Sequence, residues 1–344
     1  MKLAVAVLAV VAVGAVSVGA LTVPAGAISQ PVLPPITAEE LVASVLAADV
    51  PALGGTVTVD NALGLPALPG AEGPLTQPET TFRVWSDGQG RGRLALPSRG
   101  GERVFIEDGT TLWRYDSSSR TATALEHGTD PARERPPVAD PSQAARDLVG
   151  AVRESSMVTV DGTGTVAGRS VYQLVLSPTP TERTLLREVR VAVDSTERVP
   201  LQLIVLANGS PDPALQIGFS DLTVGAQDPA LFGFTPPAGV RVERVDKERR
   251  GAGAPGQHEA SDAMISTQGD GWDTVVLGQL PPTRQQGAEN DPLAIAQRVG
   301  RPTSGPWGNG WVVHTAVGTV LVTSDGRVAA GAVPQQVLDQ ALTR

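Results

Sequence analysis

His127, His258 and His314 are the only imidazoles the chain offers for acid–base work or metal ligation. Their spacing matches neither H-x-x-x-H nor H-E-x-x-H, the arrangements that put two ligands on one helix face. His127 and His258 fall in polar stretches rich in Pro or Gly, and His314 reads as an ordinary strand residue. Glu39 and Glu40 are adjacent, but neighbouring helix positions point apart, so capping is a better reading than a catalytic carboxylate pair. With no cysteine in the sequence, there is no thiolate nucleophile, Cys-ligated zinc, disulfide or lipidated Cys. No G-x-S-x-G, S-x-x-K or Walker A sequence occurs. The Gly-rich stretches around Gly251 and Gly305 lack the strand-then-helix setting of a phosphate site. Asn208-Gly209-Ser210 matches a glycosylation sequon, yet Asn-Gly with a following Pro reads as a turn. These residues imply a non-enzymatic protein with no cofactor and no metal.

The chain has 344 residues, 41% of them hydrophobic, enough for a real core and for two domains. Its formal net charge is −9, its only lysines are Lys2 and Lys247, and no arginine run is interleaved with aromatics. That balance lacks the electrostatic footprint of a nucleic-acid binder, and nucleic acid is set aside as a partner.

The elements that must carry any site start near the N-terminus. Met1 and Lys2 precede roughly 21 apolar residues, and small residues follow as Pro24-Ala25-Gly26-Ala27. One basic residue, an apolar run and an A-x-A site make residues 1–27 an export signal, with cleavage after Ala27. The run is also long enough to stay as a membrane anchor, since about 20 residues span a bilayer. Both readings place the remainder outside the cytoplasm. Residues 28–35 form a Pro-rich spacer. Thr37-Ala38-Glu39-Glu40 is then a capping box, with Ile36 and Leu41 as its hydrophobic staple. The helix that follows ends before Pro51 and carries Leu41, Val42, Val45 and Leu46 on one face. Asp140 and Pro141 start a second helix with Leu148, Val149 and Val152 as its apolar stripe.

Between and after these helices the pattern is that of strands. A strand is expected at 55–60, and then Phe82 and Val84, Leu94 and Leu96, Val104 and Ile106, and Trp113 and Tyr115 alternate with polar neighbours. Period two assigns that set to one sheet face and Arg83, Arg93, Arg103 and Arg114 to the opposite, wetter face, with Trp85 and Phe105 as exceptions. Asp108-Gly109 supplies a tight reversal and residues 116–119 a second one, which gives a three-strand meander over 104–125. Residues 61–78 carry Leu63, Leu65, Leu68 and Leu75 on a Gly/Pro scaffold without a periodic face. These leucines are expected to plug an apolar hollow or to touch a membrane surface, with packing under the sheet as the plain alternative. A second strand block over 168–242 keeps clearer alternation: Tyr172, Leu174 and Leu176, then Val189, Val191 and Val193, then Leu201, Leu203 and Val205, then Leu215, Ile217 and Phe219. Residues 246–262, charged and Gly-rich, read as a linker, and 263–344 as a small α+β domain with strands at 272–277, 311–315, 318–323 and 327–333.

Within the first block, I-x-D-G-x-x-L-W-x-Y at 106–115 resembles the central hairpin of LolA-type lipoprotein carriers and RseB-type periplasmic sensors. The second block, G-R-x-x-Y-x-L-x-L, V-x-V-D, V-P-L-Q-L, F-x-x-L and F-x-F-T-P-P-A-G-V at 232–240, resembles the same group in the same order, so the resemblance covers roughly residues 36–245. It implies an α+β fold in which an incomplete, strongly curved antiparallel β-barrel with covering helices holds an apolar hollow. The alternating residues from Phe82 to Tyr115 and from Tyr172 to Val193 would line that hollow and hold a lipid or lipoprotein acyl chain. The alternative implied by the RseB side is an envelope sensor that engages an anti-sigma-factor-like membrane partner through its C-terminal domain. The appendage after residue 262 favours it, because simple carriers end near the F-x-F-x-P-P-x-G segment. The carriers also hold a helical lid with a strand arginine, but Arg83, Arg93 and Arg103 have the wrong parity for that role here.

Overall fold

The computed structural model describes residues 31–66, 73–126, 149–150, 152–245, 265–280 and 292–343. The expected leader, the linker 246–262, the Asp140-Pro141 cap, His127, His258 and Leu68 lie outside the described residues.

Helix α1 (Ala38–Ala47) begins as the sequence predicts. The Glu40 amide donates to Thr37 Oγ1 at 3.2 Å, and the Thr37 amide donates to Glu40 Oε2 at 2.9 Å. The capping bonds, the Thr37 backbone bond first, hold the Glu40 carboxyl below its usual range. Glu39 turns away to meet Arg153 at 2.5 Å, so the two acids share no site.

Twelve strands build one curved, open sheet: β1 (Ala52–Asn61), β2 (Glu79–Asp87), β3 (Gly92–Ser98), β4 (Gly101–Glu107), β5 (Thr111–Asp116), β6 (Thr121–Glu126), β7 (Ser156–Val166), β8 (Arg169–Pro178), β9 (Leu186–Asp194), β10 (Pro200–Ala207), β11 (Pro213–Val224) and β12 (Arg241–Val245). Their spatial order is β12-β6-β5-β4-β3-β2-β1-β11-β10-β9-β8-β7. Two meanders are therefore joined where β1 pairs with β11. Every pairing is antiparallel except β12 with β6, which is parallel because the chain crosses back over the sheet before β12. Among the described strands β7 and β12 are edges, and the sheet does not close into a barrel.

The turns follow local chemistry. Asp108 accepts from the amides of Thr110 and Thr111 at 2.9 and 2.8 Å and from the Trp113 indole at 3.2 Å, while Gly109 takes a φ of 102°. Asp116 accepts from the Ser118 hydroxyl at 2.6 Å and the Ser119 amide at 3.1 Å, and its second oxygen meets Arg103. These bonds, the Ser118 hydroxyl foremost, pull its carboxyl down to about 2. At the β9–β10 turn, Asp194 is almost fully buried beside Arg169. Burial pushes that carboxyl up, but Arg169 and the amides of Glu197 and Thr196 outweigh it and leave the carboxyl below its usual range.

A second sheet of six strands follows, β13 (Ser266–Gln268), β14 (Val275–Gln279), β15 (Arg301–Gly305), β16 (Gly308–His314), β17 (Thr319–Thr323) and β18 (Arg327–Gly331), in the order β13-β14-β18-β17-β16-β15. Helix α2 (Pro292–Val299) precedes β15, and α3 (Gln335–Thr343) packs Val337, Leu338 and Leu342 with Leu321, Ala329 and Trp307. Strands β7, β12, β13 and β15 lie outside the sequence expectation: Asp161, Gly162 and Gly164 interrupt the alternation of β7, β15 is a short polar run with a Pro, β13 has three residues, and β12 is an exposed edge with no apolar alternation.

The expected single apolar face also needs correction. Val84 faces Leu94 across β2–β3, but Leu94 faces Phe105 across β3–β4, and Val104 faces Ala95. The cause is the two-residue turn at Arg99-Gly100, where Ser98 pairs with Gly101 and even-numbered residues meet odd-numbered ones. Val104, Ile106, Trp113 and Tyr115 consequently lie on the face opposite Phe82, Val84, Leu94 and Leu96. There they pack with Ala95, Trp85 and Phe234. Arg93 and Arg83 share that outer face, whereas Arg103 and Arg114 sit on the inner one. Leu201 also departs from its expected set: a register shift between Pro200 and Gln202 places it with Val166, Val171 and Ala192.

Candidate functional site

The inner face is a continuous apolar surface built from both meanders. Val57 opposes Phe82 on one side of β1 and Phe219 on the other. Leu203 opposes Ile217 and Val191, and Val191 opposes Leu174. The structure therefore brings Phe82, Val84, Leu94 and Leu96 onto one face with Tyr172, Leu174, Leu176, Val189, Val191 and Val193. It does not bring Val104, Ile106, Trp113 or Tyr115 there.

Those residues fall into two zones. Over β7–β9, α1 lays Leu41 and Val45 on Tyr172, Leu174 and Val193, while Ala38 and Val42 meet Val158 and Leu176. Residues 149–150 and 152–153 are helical, and Val149 and Val152 join this cover. The Tyr172 hydroxyl donates to the Pro34 carbonyl at 3.0 Å and so ties the residues before α1 to the sheet. This zone is closed packing. The other zone spans β1–β3 and β9–β11, where Val57, Val59, Phe82, Val84, Leu203 and Val205 are buried. Around them Leu94, Leu96, Val189, Val191, Ile217 and Phe219 are only half-buried. No side chain of α1 belongs to this cluster. Instead Leu63, from the segment after β1, and Val317, from the second sheet, pack against it.

Sequence reading missed β1, β10 and β11 as contributors, although the alternation of Leu203, Val205, Ile217 and Phe219 was visible; their place beside β2 depended on the β1–β11 pairing. Val317 carried no signal at all. Of the four loop leucines, Leu63 joins the inner face, Leu65 and Leu75 are exposed at 47% and 39%, and Leu68 is outside the described residues. Asn61 holds the segment in place: its side chain donates to the Leu75 carbonyl at 2.6 Å, and its Oδ1 accepts from the Leu63 amide at 3.1 Å.

The second sheet docks at the end of the first where β1 stops and β9 starts. The Ala316 amide donates to the Leu63 carbonyl at 2.8 Å, and the Leu185 amide and Thr184 hydroxyl donate to the Ala332 carbonyl at 2.8 and 2.7 Å. Arg183 donates to Gln340 at 2.7 Å, and the Trp272 indole donates to Ser156 at 2.5 Å. A cleft of about 130 Å³ between the sheets is lined by Arg183, Gln268, Asp273 and Gln340 with Val275 and Val337. It is well below the roughly 300 Å³ of the smallest ordinary ligand pockets and lies away from the inner face, so it is a packing gap at the interface.

Among the described residues no cluster of His, Asp and Glu could hold a metal ion, and no helix is long and apolar enough to cross a membrane. His314 is exposed at the end of β16. What the inner face offers is apolar area, and apolar area recognises apolar ligands by removal from water, at about 25 cal/mol per Å².

No family model matches the chain, and no curated protein matches it. Solved structures do resemble it. In the MucA/MucB complex of Pseudomonas aeruginosa the similar chain is 15% identical, with 89% of this chain and 96% of that one covered and a TM-score of 0.46. A LolA superfamily protein from Nitrosomonas europaea is 12% identical over 58% of this chain and 99% of its own, with a TM-score of 0.25. The Mycobacterium tuberculosis lipoprotein LppX is 10% identical over 54% and 98%, with a TM-score of 0.30. Of these, the Nitrosomonas europaea protein is described as a LolA superfamily protein.

Proposed function

We propose that this chain is an exported, non-enzymatic binding protein of the cell envelope that takes an acyl chain, of a lipid or a lipoprotein, on the inner face of its curved sheet. The observation that supports this is the half-buried apolar zone of Leu94, Leu96, Val189, Ile217 and Phe219, which no helix among the described residues covers, with Val191 at its border under Leu41 of α1. Such a surface is costly in water and is filled by a flexible hydrocarbon chain without need for directional bonds. The covered zone over β7–β9 is structural in this reading. Leu174 and Tyr172 hold α1, and Val104, Ile106, Trp113 and Tyr115 hold the returning segment at Phe234.

A second reading, a sensor that passes the state of the inner face to a membrane partner resembling an anti-sigma factor, is favoured by one observation: the second sheet is docked at the end of the same apolar zone. Carrier and sensor share the ligand site and differ in what reads it. Native mass spectrometry of protein purified without detergent, before and after solvent extraction, tests the shared part, with bound lipid expected before extraction only. Leu94→Trp should fill the zone and lower lipid stoichiometry. A folded Leu94→Trp protein that carries the wild-type amount of lipid would sink the proposal. Co-purification of a membrane protein distinguishes the sensor from the carrier.

A further inference from the structure

The turn at 315–318 connects β16 to β17, and Thr315 closes it by donating its amide and hydroxyl to the Gly318 carbonyl at 2.8 and 3.0 Å. That closure presents Val317, an apolar residue at a turn tip, to the first sheet instead of to solvent. Val317 packs on the same cluster as Leu94, Leu96, Val189 and Val191, the zone assigned above to the acyl chain. Leu63 lies beside it in that cluster, and the two segments are joined by the Ala316–Leu63 backbone bond.

The two sides of the docking interface are held unequally. At Thr184 and Leu185 two hydrogen bonds converge on Ala332, Arg183 reaches both Gln340 and Asp273, and the Asp273 amide donates to Glu182 at 3.1 Å. At the turn, the Ala316–Leu63 backbone bond and the half-buried Val317 make the contact. The side at 182–185 can therefore stay closed while the turn withdraws.

The geometry points to a plug: Val317 and Leu63 occupy part of the acyl site, so an acyl chain and the Val317 contact exclude each other. Ligand entry expels the turn and rocks the second sheet about its anchor at Thr184–Leu185 and Ala332. Occupancy of the inner face is thereby converted into the position of the second sheet, which is the regulation a sensor needs and a simple carrier does not. The inference rests on the acyl-binding reading. It adds a competitor within the chain and a direction of movement.

The test uses the full delipidated chain and a fluorescent stearate analogue. Wild type should bind the probe, and saturating probe should speed hydrogen exchange at the Ala316 amide while the Leu185 amide stays protected. Val317→Ser should bind the probe more tightly by roughly three- to tenfold, because the fraction of molecules with an open site rises. A residue that merely supported the pocket would weaken binding instead. Probe binding with unchanged Ala316 exchange overturns the plug and leaves the acyl reading standing. No probe binding by wild type or by Val317→Ser overturns the acyl reading and the plug with it. The exchange measurement needs no variant, so a Val317→Ser protein that fails to fold does not block the decision.

Discussion

The two meanders of the large sheet treat the same kind of sequence differently. In β8–β11 the apolar alternation stays on the inner face through successive hairpins, with Leu174 facing Val191, Val191 facing Leu203 and Leu203 facing Ile217. In β2–β6 it changes face at one hairpin, between Leu96 and Val104. Alternation within a strand reports that one side is apolar, and the turn length decides which side of the neighbour it joins. Arg99-Gly100 is a two-residue turn, so β4 and β5 send Val104, Ile106, Trp113 and Tyr115 outward, while Phe105 and Leu112 face inward. That outer surface is then covered by the chain returning from β11: Phe234 stacks at 5.2 Å from Trp113 and 5.5 Å from Tyr115, the guanidinium of Arg91 lies over Phe232, and Arg93 donates to the Leu231 carbonyl. One meander thus spends its apolar residues on the inner face, and the other divides them between an inner zone and an outer core.

That contrast can be broken by substitution. The largest effect is expected at Ile106, fully buried in the outer core. Ile106→Ala should lower stability by about 2–5 kcal/mol in denaturant titration, with acyl-probe binding per folded molecule unchanged. Reduced binding at full folding would return β4 to the inner face. Leu94→Ser, half-buried on the inner side, should cost about 1–2 kcal/mol, towards the lower end of the range for full burial, and should weaken probe binding. Thr37→Ala removes the cap that starts α1 and should cost about 1 kcal/mol without affecting the open zone, since α1 covers only β7–β9; a matching loss of probe binding would mean that α1 serves both zones. The smallest effect is a titration. Asp116 sits at about 2 because the Ser118 hydroxyl, the Ser119 amide and Arg103 favour its ionised form. A depressed carboxyl stabilises the fold above its ordinary value near 3.8 and loses that contribution as pH falls towards about 2. Ser118→Ala should raise the Asp116 value, followed by carboxyl NMR, and should move acid unfolding of the β5–β6 hairpin to higher pH. An unmoved resonance would show that the Ser118 and Ser119 amides and Arg103 hold the carboxylate without the hydroxyl.

Local chemistry made a good part of this molecule legible. Thr37 and Glu40 specify the start of α1 because a capping box is complete within four residues. Asp108-Gly109 and residues 116–119 specify their turns because the accepting carboxylate and the amides it binds are near neighbours. The alternation in β8–β11 specifies an amphipathic meander because period two belongs to each strand separately. The phase of β4 was also written locally, in the two-residue turn Arg99-Gly100, but parity numbering across that turn pointed the wrong way. Tertiary structure alone decided the pairing of β1 with β11, the parallel return of β12 to β6, the seating of Phe234 on Trp113, and the insertion of Val317 beside Leu63. Each of these joins residues far apart in the chain, and the energy of such a contact depends on shape and burial shared between two surfaces, which neither stretch of sequence carries by itself.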